Sequence, residues 1–253
     1  MSFNAIKANL NLYAVLKNLE DLVAYDEEIG KVSKDWSMSI QFSVKKGPKA
    51  YVIFRDGKCE VGRGKCRRPA ARLFFTSPAH LNKMFDGKAN PIPTKGFTKL
   101  NFLTKQFPKA TDKMEYYLKP TDELLQNPHY LEMNTRLTLN TAAFALKELF
   151  EMDPIGRLNA PHIPDGVLLM KVLPEGPAAH LKFNKGHITA HKGDVSNPSA
   201  MMLFRGTQVA NDLLNGKCDA FAAIATGDVI MKGRVPMIEA TNIVLDRIQM
   251  YLA

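Results

Sequence analysis

An internal repeat is the sequence feature that most constrains the fold of this chain. The 35-residue segment beginning at Phe54 aligns without gaps with the segment beginning at Phe183, at an offset of 129 positions. Nine positions are identical, against about two expected by chance from ordinary residue usage. The identical pairs are Phe54/Phe183, Gly57/Gly186, Gly64/Gly193, Pro69/Pro198, Ala71/Ala200, Phe75/Phe204, Asn82/Asn211, Gly87/Gly216 and Lys88/Lys217. A repeat of this length predicts two copies of one domain, at residues 1–120 and 121–253.

The order of patterns within each copy predicts an α+β fold. A stretch with helical spacing comes first, then short alternating stretches separated by turn residues, then capped helical segments and a late strand. In copy one we assign the late strand to residues 97–103. Gly96 is aligned with Gly227, and both copies end in a similar helical segment, at 114–118 and 248–252.

Turn and cap residues mark the ends of the predicted elements in copy one. Asp56-Gly57 suits a tight hairpin because both residue types tolerate a positive φ. Ser77 is expected as an N-cap, Pro78 at the first helical position, and Gly87 at the C-terminal end of the same helix. These signals predict a hairpin followed by one short, well-capped helix.

The order of these signals resembles the sterol carrier protein type two family, also called the non-specific lipid-transfer domain. In copy one the matching residues are Asp56, Gly57, Ser77, Leu81, Gly87, Lys88, Asn90, Pro91 and Gly96. In copy two they are Gly186, Leu214, Gly216, Lys217, Gly227 and Gly233. Copy two departs from the pattern at Lys185 and at 218–220. The motifs are turns and caps. The resemblance occurs once in each copy, and together the two occurrences cover most of the chain.

The resemblance implies two copies of a mostly antiparallel five-stranded sheet, with helices packed on one face and an apolar cavity between sheet and helices. It also implies that the cavity accepts fatty acyl chains, acyl-CoA or sterols, and that the domain carries out no chemistry. No single residue is carried over as a ligand contact, because generic apolar lining serves that role.

Copy two is the better candidate for such a cavity. Deformable apolar walls with few polar groups suit lipid chains, and methionine adapts to ligands of variable shape. The alternative is an ordinary core, since apolar strands and helices are buried by default. The residues expected to line the cavity are Met202, Phe204, Leu213, Leu214, Phe221, Ile224, Ile230, Met237 and Ile243.

The charge is concentrated in copy one. Residues 1–120 carry 22 Lys+Arg and 11 Asp+Glu, a net of +11, whereas residues 121–253 carry 12 and 14, a net of −2. Such a surface attracts anionic head groups, phosphorylated ligands or nucleic acid, although Lys and Arg also protect sheet edges from pairing. The residues expected to face head groups or a membrane are Lys45, Lys46, Lys49, Arg63, Lys65, Arg67 and Arg68.

Both faces of two strand segments are apolar, at 73–75 and 167–170. A sheet covered by helices on one side normally has a polar outer face. We expect either that these outer faces are buried against the other copy or a second chain, or that the segments are central strands enclosed within one domain.

Catalytic, metal and cofactor motifs are missing from the sequence. GRGK at 62–65 lacks the spacing of a phosphate-binding loop, Cys59 and Cys66 have no nearby ligand partners, and Cys218 would need a positioned base to act as a nucleophile. We expect no enzyme activity, no metal and no cofactor. Three cysteines, no signal peptide and no apolar run of membrane length favour a reduced, cytoplasmic protein.

Three functions remain from the sequence. The first is a lipid-binding or lipid-transfer protein whose partner is a hydrophobic small molecule, with transient membrane-surface contact and a homodimer as further options. The second is a non-catalytic accessory or scaffolding protein for a lipid or acyl-CoA enzyme. The third, nucleic-acid binding through 45–72, is disfavoured because the alternation of aromatic and basic residues fits a buried strand equally well.

Overall fold

The computed structural model describes residues 1–252 and divides them into two compact units. The boundary lies between Tyr116 and Tyr117, whereas the repeat places it at 120/121. We refer to the two parts as unit 1 and unit 2 and describe each by itself.

Unit 1 contains a helical N-terminal segment, a five-stranded sheet and further helices. The helices are α1 (Phe3–Leu10), α2 (Leu19–Tyr25), α3 (Glu27–Ser33), α4 (Pro78–Phe85) and α5 (Phe107–Leu118), the last of which ends beyond the unit boundary. The strands are β1 (Met38–Val44), β2 (Lys49–Arg55), β3 (Lys58–Arg63), β4 (Ala71–Phe75) and β5 (Ile92–Lys95).

Unit 2 repeats this arrangement. Its helices are α6 (Pro128–Met152), α7 (Pro154–Asn159), α8 (Thr207–Leu214), α9 (Ala220–Ala225), α10 (Val235–Leu245) and α11 (Arg247–Leu252). Its strands are β6 (Gly166–Val172), β7 (Ala178–Asn184), β8 (His187–Lys192), β9 (Ala200–Phe204) and β10 (Val229–Gly233).

The two sheets have the same strand order. In unit 1 it is β3-β2-β1-β4-β5, and in unit 2 it is β8-β7-β6-β9-β10. One pair in each sheet is parallel, β1 with β4 and β6 with β9, and the other pairs are antiparallel. The predicted α+β class, with mostly antiparallel five-stranded sheets and helices, is confirmed.

The register extends the match to individual residues. Ile40 pairs with Ala71 in unit 1, and Leu168 pairs with Ala200 in unit 2. The Lys45 amide donates to the Phe75 carbonyl, and the Leu173 amide donates to the Phe204 carbonyl. Positions in β1, β2 and β4 therefore have defined counterparts in β6, β7 and β9.

Aromatic rings fill the core of unit 1. Phe42, Phe54 and Phe75 are at most 2% exposed. Trp36 packs edge-on against Phe54 at 5.0 Å and against Phe102 at 5.2 Å between ring centroids. Large aromatic side chains stabilise a core through both burial and ring geometry.

A buried asparagine fastens the short helix after the fourth strand in each unit. In unit 1, Asn82 of α4 accepts from the Asn11 side chain at 3.2 Å and donates to the Asn4 carbonyl at 3.1 Å. In unit 2, Asn211 of α8 donates to Asn134 at 2.6 Å and Thr135 at 3.0 Å. Buried polar groups need such partners, which explains why the repeat has the same residue at both positions.

Two details of the predicted elements are wrong. Residues 97–103 form turns of helix rather than a strand, and the late strand of unit 1 is β5. Gly96 corresponds to Gly233, not Gly227. A Cβ atom at Gly96 would lie 2.7 Å from the Ala70 carbonyl oxygen, and one at Gly233 would lie closer still to the equivalent carbonyl oxygen of Ser199. Both glycines have a positive φ, so each permits the same close approach of two backbone segments.

None of the helices among residues 1–252 combines the length and the apolar character needed to cross a membrane.

Candidate functional site

The chain crosses the outer face of the unit 1 sheet between β3 and β4, and one side chain holds it there. We call residues 64–70 the first crossover segment. Gln41, which is 3% exposed, donates to the Gly64 carbonyl at 3.0 Å and accepts from the Cys66 amide at 2.7 Å. Its side-chain nitrogen also donates to the Ala50 carbonyl at 2.8 Å. The crossover therefore has a fixed position over the sheet.

A groove of about 570 Å³ lies on this outer face, and we call it the basic groove. Ser43 and Phe74 are cross-strand partners at its floor, and Phe74 is half-buried. Its cationic lining residues come from the β1–β2 turn, the start of β2, the crossover segment and β4; they are Lys45, Lys46, Lys49, Lys65 and Arg72.

The five cations of the basic groove carry uncompensated charge. Among the described residues none of them makes an ion pair, and no Asp or Glu lines the groove. Like charges gathered at one place repel and raise the local positive potential. The groove is thus a concave site that favours anions.

The register shows that unit 2 lacks this site. The counterparts of Lys45, Lys46, Lys49, Lys65 and Arg72 are Leu173, Pro174, Ala178, Asp194 and Met201. Phe74 and Gln41 correspond to Leu203 and Leu169. The basic groove therefore accounts for part of the charge difference between the two halves of the sequence.

The predicted basic residues divide into three groups. Lys45, Lys46, Lys49 and Lys65 line the basic groove, whereas Arg67 and Arg68 are exposed on the crossover segment outside its lining. Arg63 pairs with buried Ala50, and its guanidinium carbon lies 3.8 Å from the centroid of the Tyr13 ring.

Sequence reasoning missed Arg72 and Phe74 as groove residues. Alternation along β4 places both side chains on the outer face of the sheet. Only the pairing of β4 with β1, which the sequence does not show, brings them beside Ser43.

The predicted apolar residues of unit 2 are distributed over three environments. Met202, Phe204 and Met237 are at most 1% exposed and belong to the core. Ile230 pairs with Leu203 on the outer face, opposite the buried Met202. Half-buried positions are Leu213, Leu214, Ile224 and Ile230, and exposed positions are Phe221 and Ile243. That they line a common cavity stays a prediction.

Helix α9 is an unusually exposed apolar element. Its sequence is AFAAIA, and only Ala223 is buried. The Phe221 side chain is 84% exposed. The Asp219 side chain caps the helix by accepting from the Ala222 amide at 2.8 Å, and the helix lies against β10. The Phe221 ring is thus available for contact with an apolar ligand or partner.

The most strongly bonded carboxylate of unit 2 has a structural role. Asp153 is fully buried and accepts from Arg247 Nε at 2.6 Å, Arg247 Nη2 at 2.8 Å and the Tyr251 hydroxyl at 2.7 Å. Burial by itself would raise the pKa of Asp153. The hydrogen bonds from Arg247, Tyr251 and the amides of Gly156 and Ile155 outweigh it, so the pKa is lowered. This network ties α11 to the start of α7.

The Cys218 thiol is poorly suited to nucleophilic chemistry. Partial burial and the nearby carboxylates of Asp212, Asp219 and Asp228 raise its pKa. A raised pKa keeps the thiol protonated at neutral pH, and the thiolate is the reactive form.

Comparison with known proteins gives structural similarities only. No protein-family model and no curated protein matches the chain. Sterol Carrier Protein 2 from Yarrowia lipolytica, in its apo form, is 17% identical with a TM-score of 0.31, covering 41% of this chain and 92% of that one. The sterol carrier protein domain 2 of Helicoverpa armigera is 17% identical with a TM-score of 0.33, covering 44% and 87%.

A third similar structure is a conserved hypothetical protein of Thermus thermophilus, described as possibly a sterol carrier protein. It is 18% identical with a TM-score of 0.33, covering 44% of this chain and 85% of that one. All three TM-scores are low, so the fold described above rests on the strand order and register of the two sheets.

Proposed function

We propose that this chain is a non-catalytic lipid-binding or lipid-transfer protein made of two sterol-carrier-like domains that arose by duplication. In this proposal unit 2 takes up the apolar part of a fatty acyl, acyl-CoA or sterol-like ligand, and the basic face of unit 1 meets anionic groups. Support comes from the order of turn and cap residues in the sequence and from the shared strand order of the two sheets.

The exposure of α9 is the observation that carries the lipid proposal. Phe221 is 84% exposed on a capped helix with no charged residue. Further large apolar side chains of unit 2 are exposed on other helices: Leu158, Val235, Ile243 and Met250. Large apolar groups in water gain free energy when a ligand covers them.

The energetics of acyl chains make specific polar contacts unnecessary. Each buried CH₂ contributes about 0.8 kcal/mol, so a sixteen-carbon chain gains roughly 10 kcal/mol before the costs of association. Shortening the buried chain by four carbons should therefore weaken binding by up to about 3 kcal/mol.

The test is displacement of a fluorescent fatty acid from delipidated full-length protein. We expect saturable binding, with affinity that rises steeply from twelve to sixteen carbons. Phe221→Ser should weaken it, because the ring loses its apolar contact with the chain. The matched control is Phe97→Ser, which removes an exposed aromatic ring (65% exposed) from unit 1.

Two results would contradict the proposal. One is the absence of saturable binding of acyl chains, acyl-CoA or sterol. The other is affinity that does not change with chain length, since a buried chain must contribute in proportion to its apolar surface. Either result would favour the accessory or scaffolding role, in which α9 contacts a protein instead.

A further inference from the structure

We infer that the basic groove of unit 1 is a binding site for a small ligand that carries two or more phosphate groups beside an apolar or planar group. The inference rests on the groove alone and goes beyond lipid binding in unit 2. Either proposal can fail without the other, because different units and different residues carry them.

The shape of the groove fits a small molecule. Its volume of about 570 Å³ lies within the range of about 300–1,000 Å³ that is usual for small-molecule sites. Gln41 fixes the crossover segment that forms one side, with hydrogen bonds of 3.0 and 2.7 Å to Gly64 and Cys66. A fixed wall reduces the ordering cost of binding.

The charge of the groove specifies an anion of high charge. Five cations from four elements line it, and no carboxylate among its lining residues offsets them. One carboxylate or one phosphate would leave most of this charge uncompensated, whereas two or more phosphates would balance it. Lysine acts on phosphate as a point charge and arginine as a two-pronged donor.

Phe74 adds an apolar surface among these cations. It is half-buried at the floor, on the same strand as Arg72 and paired with Ser43 of β1. An aromatic ring among cationic side chains is suited to pack against a planar or apolar part of the ligand. A purely inorganic anion would make no use of it.

The fold does not require this constellation. Unit 2 keeps the same strand order and the equivalent strand pairs, yet it has leucine, alanine, aspartate and methionine at the positions of Lys45, Lys49, Lys65 and Arg72, and proline in a turn one residue longer than the one that bears Lys46. Gathering like charges costs stability. Repulsion among the five cations is present in unit 1 and absent from unit 2, which supports a role for this charge in binding an anion.

A concave site favours a small ligand over a membrane or a nucleic acid. The cations lie on different elements around a depression, and a flat lipid surface would not reach its floor. Arg67 and Arg68, which are exposed outside the lining, do not extend it into a long track for a nucleic-acid backbone.

The experiment is calorimetric titration of the full chain with ATP as the probe, beside tripolyphosphate and adenosine. We expect saturable binding of ATP with a Kd of about 100 μM or below, weaker binding of tripolyphosphate, and none of adenosine. The Lys49→Ala/Arg72→Met variant carries the residues that unit 2 has at the same positions, so the fold accommodates them. It should weaken ATP binding at least tenfold.

A matched control separates the groove from general charge. Lys83→Ala/Lys105→Met also removes two exposed cations from unit 1, but neither lines the groove, so ATP affinity should stay within about twofold. Phe74→Leu, again the unit 2 residue, should weaken ATP binding and leave tripolyphosphate binding unchanged. Circular dichroism of every variant checks that it is folded.

The inference is overturned by any of four results. These are no saturable binding of ATP, equal losses in the groove variant and the charge control, equal affinities for ATP and tripolyphosphate, or binding only to phosphatidylserine vesicles or to nucleic acid. None of them bears on fatty acid displacement from unit 2, so failure here is distinguishable from failure of the lipid proposal.

Discussion

Single residues of this chain have their clearest effects where a close approach or a buried charge leaves little choice of side chain. Gly96 and Gly233 sit where a Cβ atom would collide with a neighbouring backbone carbonyl. Asp153 holds α11 through a charge-assisted network with Arg247 and Tyr251. Both features exist for the fold and not for a ligand.

Asp153→Asn should destabilise unit 2 at neutral pH by about 2 kcal/mol, because the buried side chain at position 153 loses its charge-assisted hydrogen bonds from Arg247 and from the Tyr251 hydroxyl. The lowered pKa of Asp153 sets the pH dependence. Its contribution is fully present above the unfolded pKa of about 3.9 and is lost as pH falls through the folded pKa. Urea unfolding of the unsubstituted protein and of Asp153→Asn between pH 7 and pH 2 measures this contribution. The difference between their free energies of unfolding should become smaller below about pH 4. A stability difference that stays constant with pH would contradict the role given to ionised Asp153.

The residue patterns that were predicted correctly from the sequence are turns and helix caps, which depend on neighbouring residues alone. Asp56 and Gly57 both have a positive φ, as their residue types predicted for a hairpin. The Ser77 side chain accepts from the His80 amide and Pro78 begins α4, as predicted. The helix ends at Phe85, Asp86 is its C-cap, and Gly87 follows with a positive φ. Each of these depends on a few neighbouring residues and on no distant contact.

At the scale of elements, contacts between residues distant in the sequence determined the structure where the local apolar pattern predicted another one. Residues 97–103 have the apolar spacing of a strand, but Phe102 contacts Trp36 and Phe54 in the core, and the segment is helical. The basic groove was predictable only in part for a related reason. Four of its lysines cluster in the sequence, whereas Arg72 and Phe74 join them through the pairing of β1 with β4.

The Asn211 side chain is the element-level contact whose removal is most informative. Asn211→Ala should destabilise unit 2 by about 1–3 kcal/mol, because Asn134 and Thr135 of α6 lose a buried donor. Chemical unfolding followed by circular dichroism measures the change. The control on the same helix is exposed Gln208→Ala, which should stay within about 0.5 kcal/mol. Equal effects of the two substitutions would show that the buried network does not fasten α8.

At the scale of the whole molecule, each unit has its own core, and unit 1 contains the single tryptophan of the chain. Trp36 is 7% exposed and in contact with Phe54, so its fluorescence reports the unfolding of unit 1. Circular dichroism reports both units.

Two cores predict two transitions. Asp153→Asn should shift part of the circular dichroism transition to lower urea and leave the midpoint of the Trp36 fluorescence transition unchanged. Unsubstituted protein measured in parallel provides the reference. A fluorescence midpoint that moves with the substitution in unit 2 would mean that the chain unfolds as one cooperative body.

The first crossover segment and its counterpart in unit 2, residues 193–199, differ in one side-chain contact to their sheets. An uncharged amide, Gln41, holds the first, whereas the second carries the ion pair between Lys171 and Asp194 at 2.5 Å, with Leu169 in place of the glutamine. Ions in solution screen a partly exposed pair and leave an amide hydrogen bond nearly untouched. Ionic strength thus acts on one contact of the unit 2 crossover, which the His180 side chain and backbone hydrogen bonds also hold, and it leaves the Gln41 contacts of unit 1 unchanged.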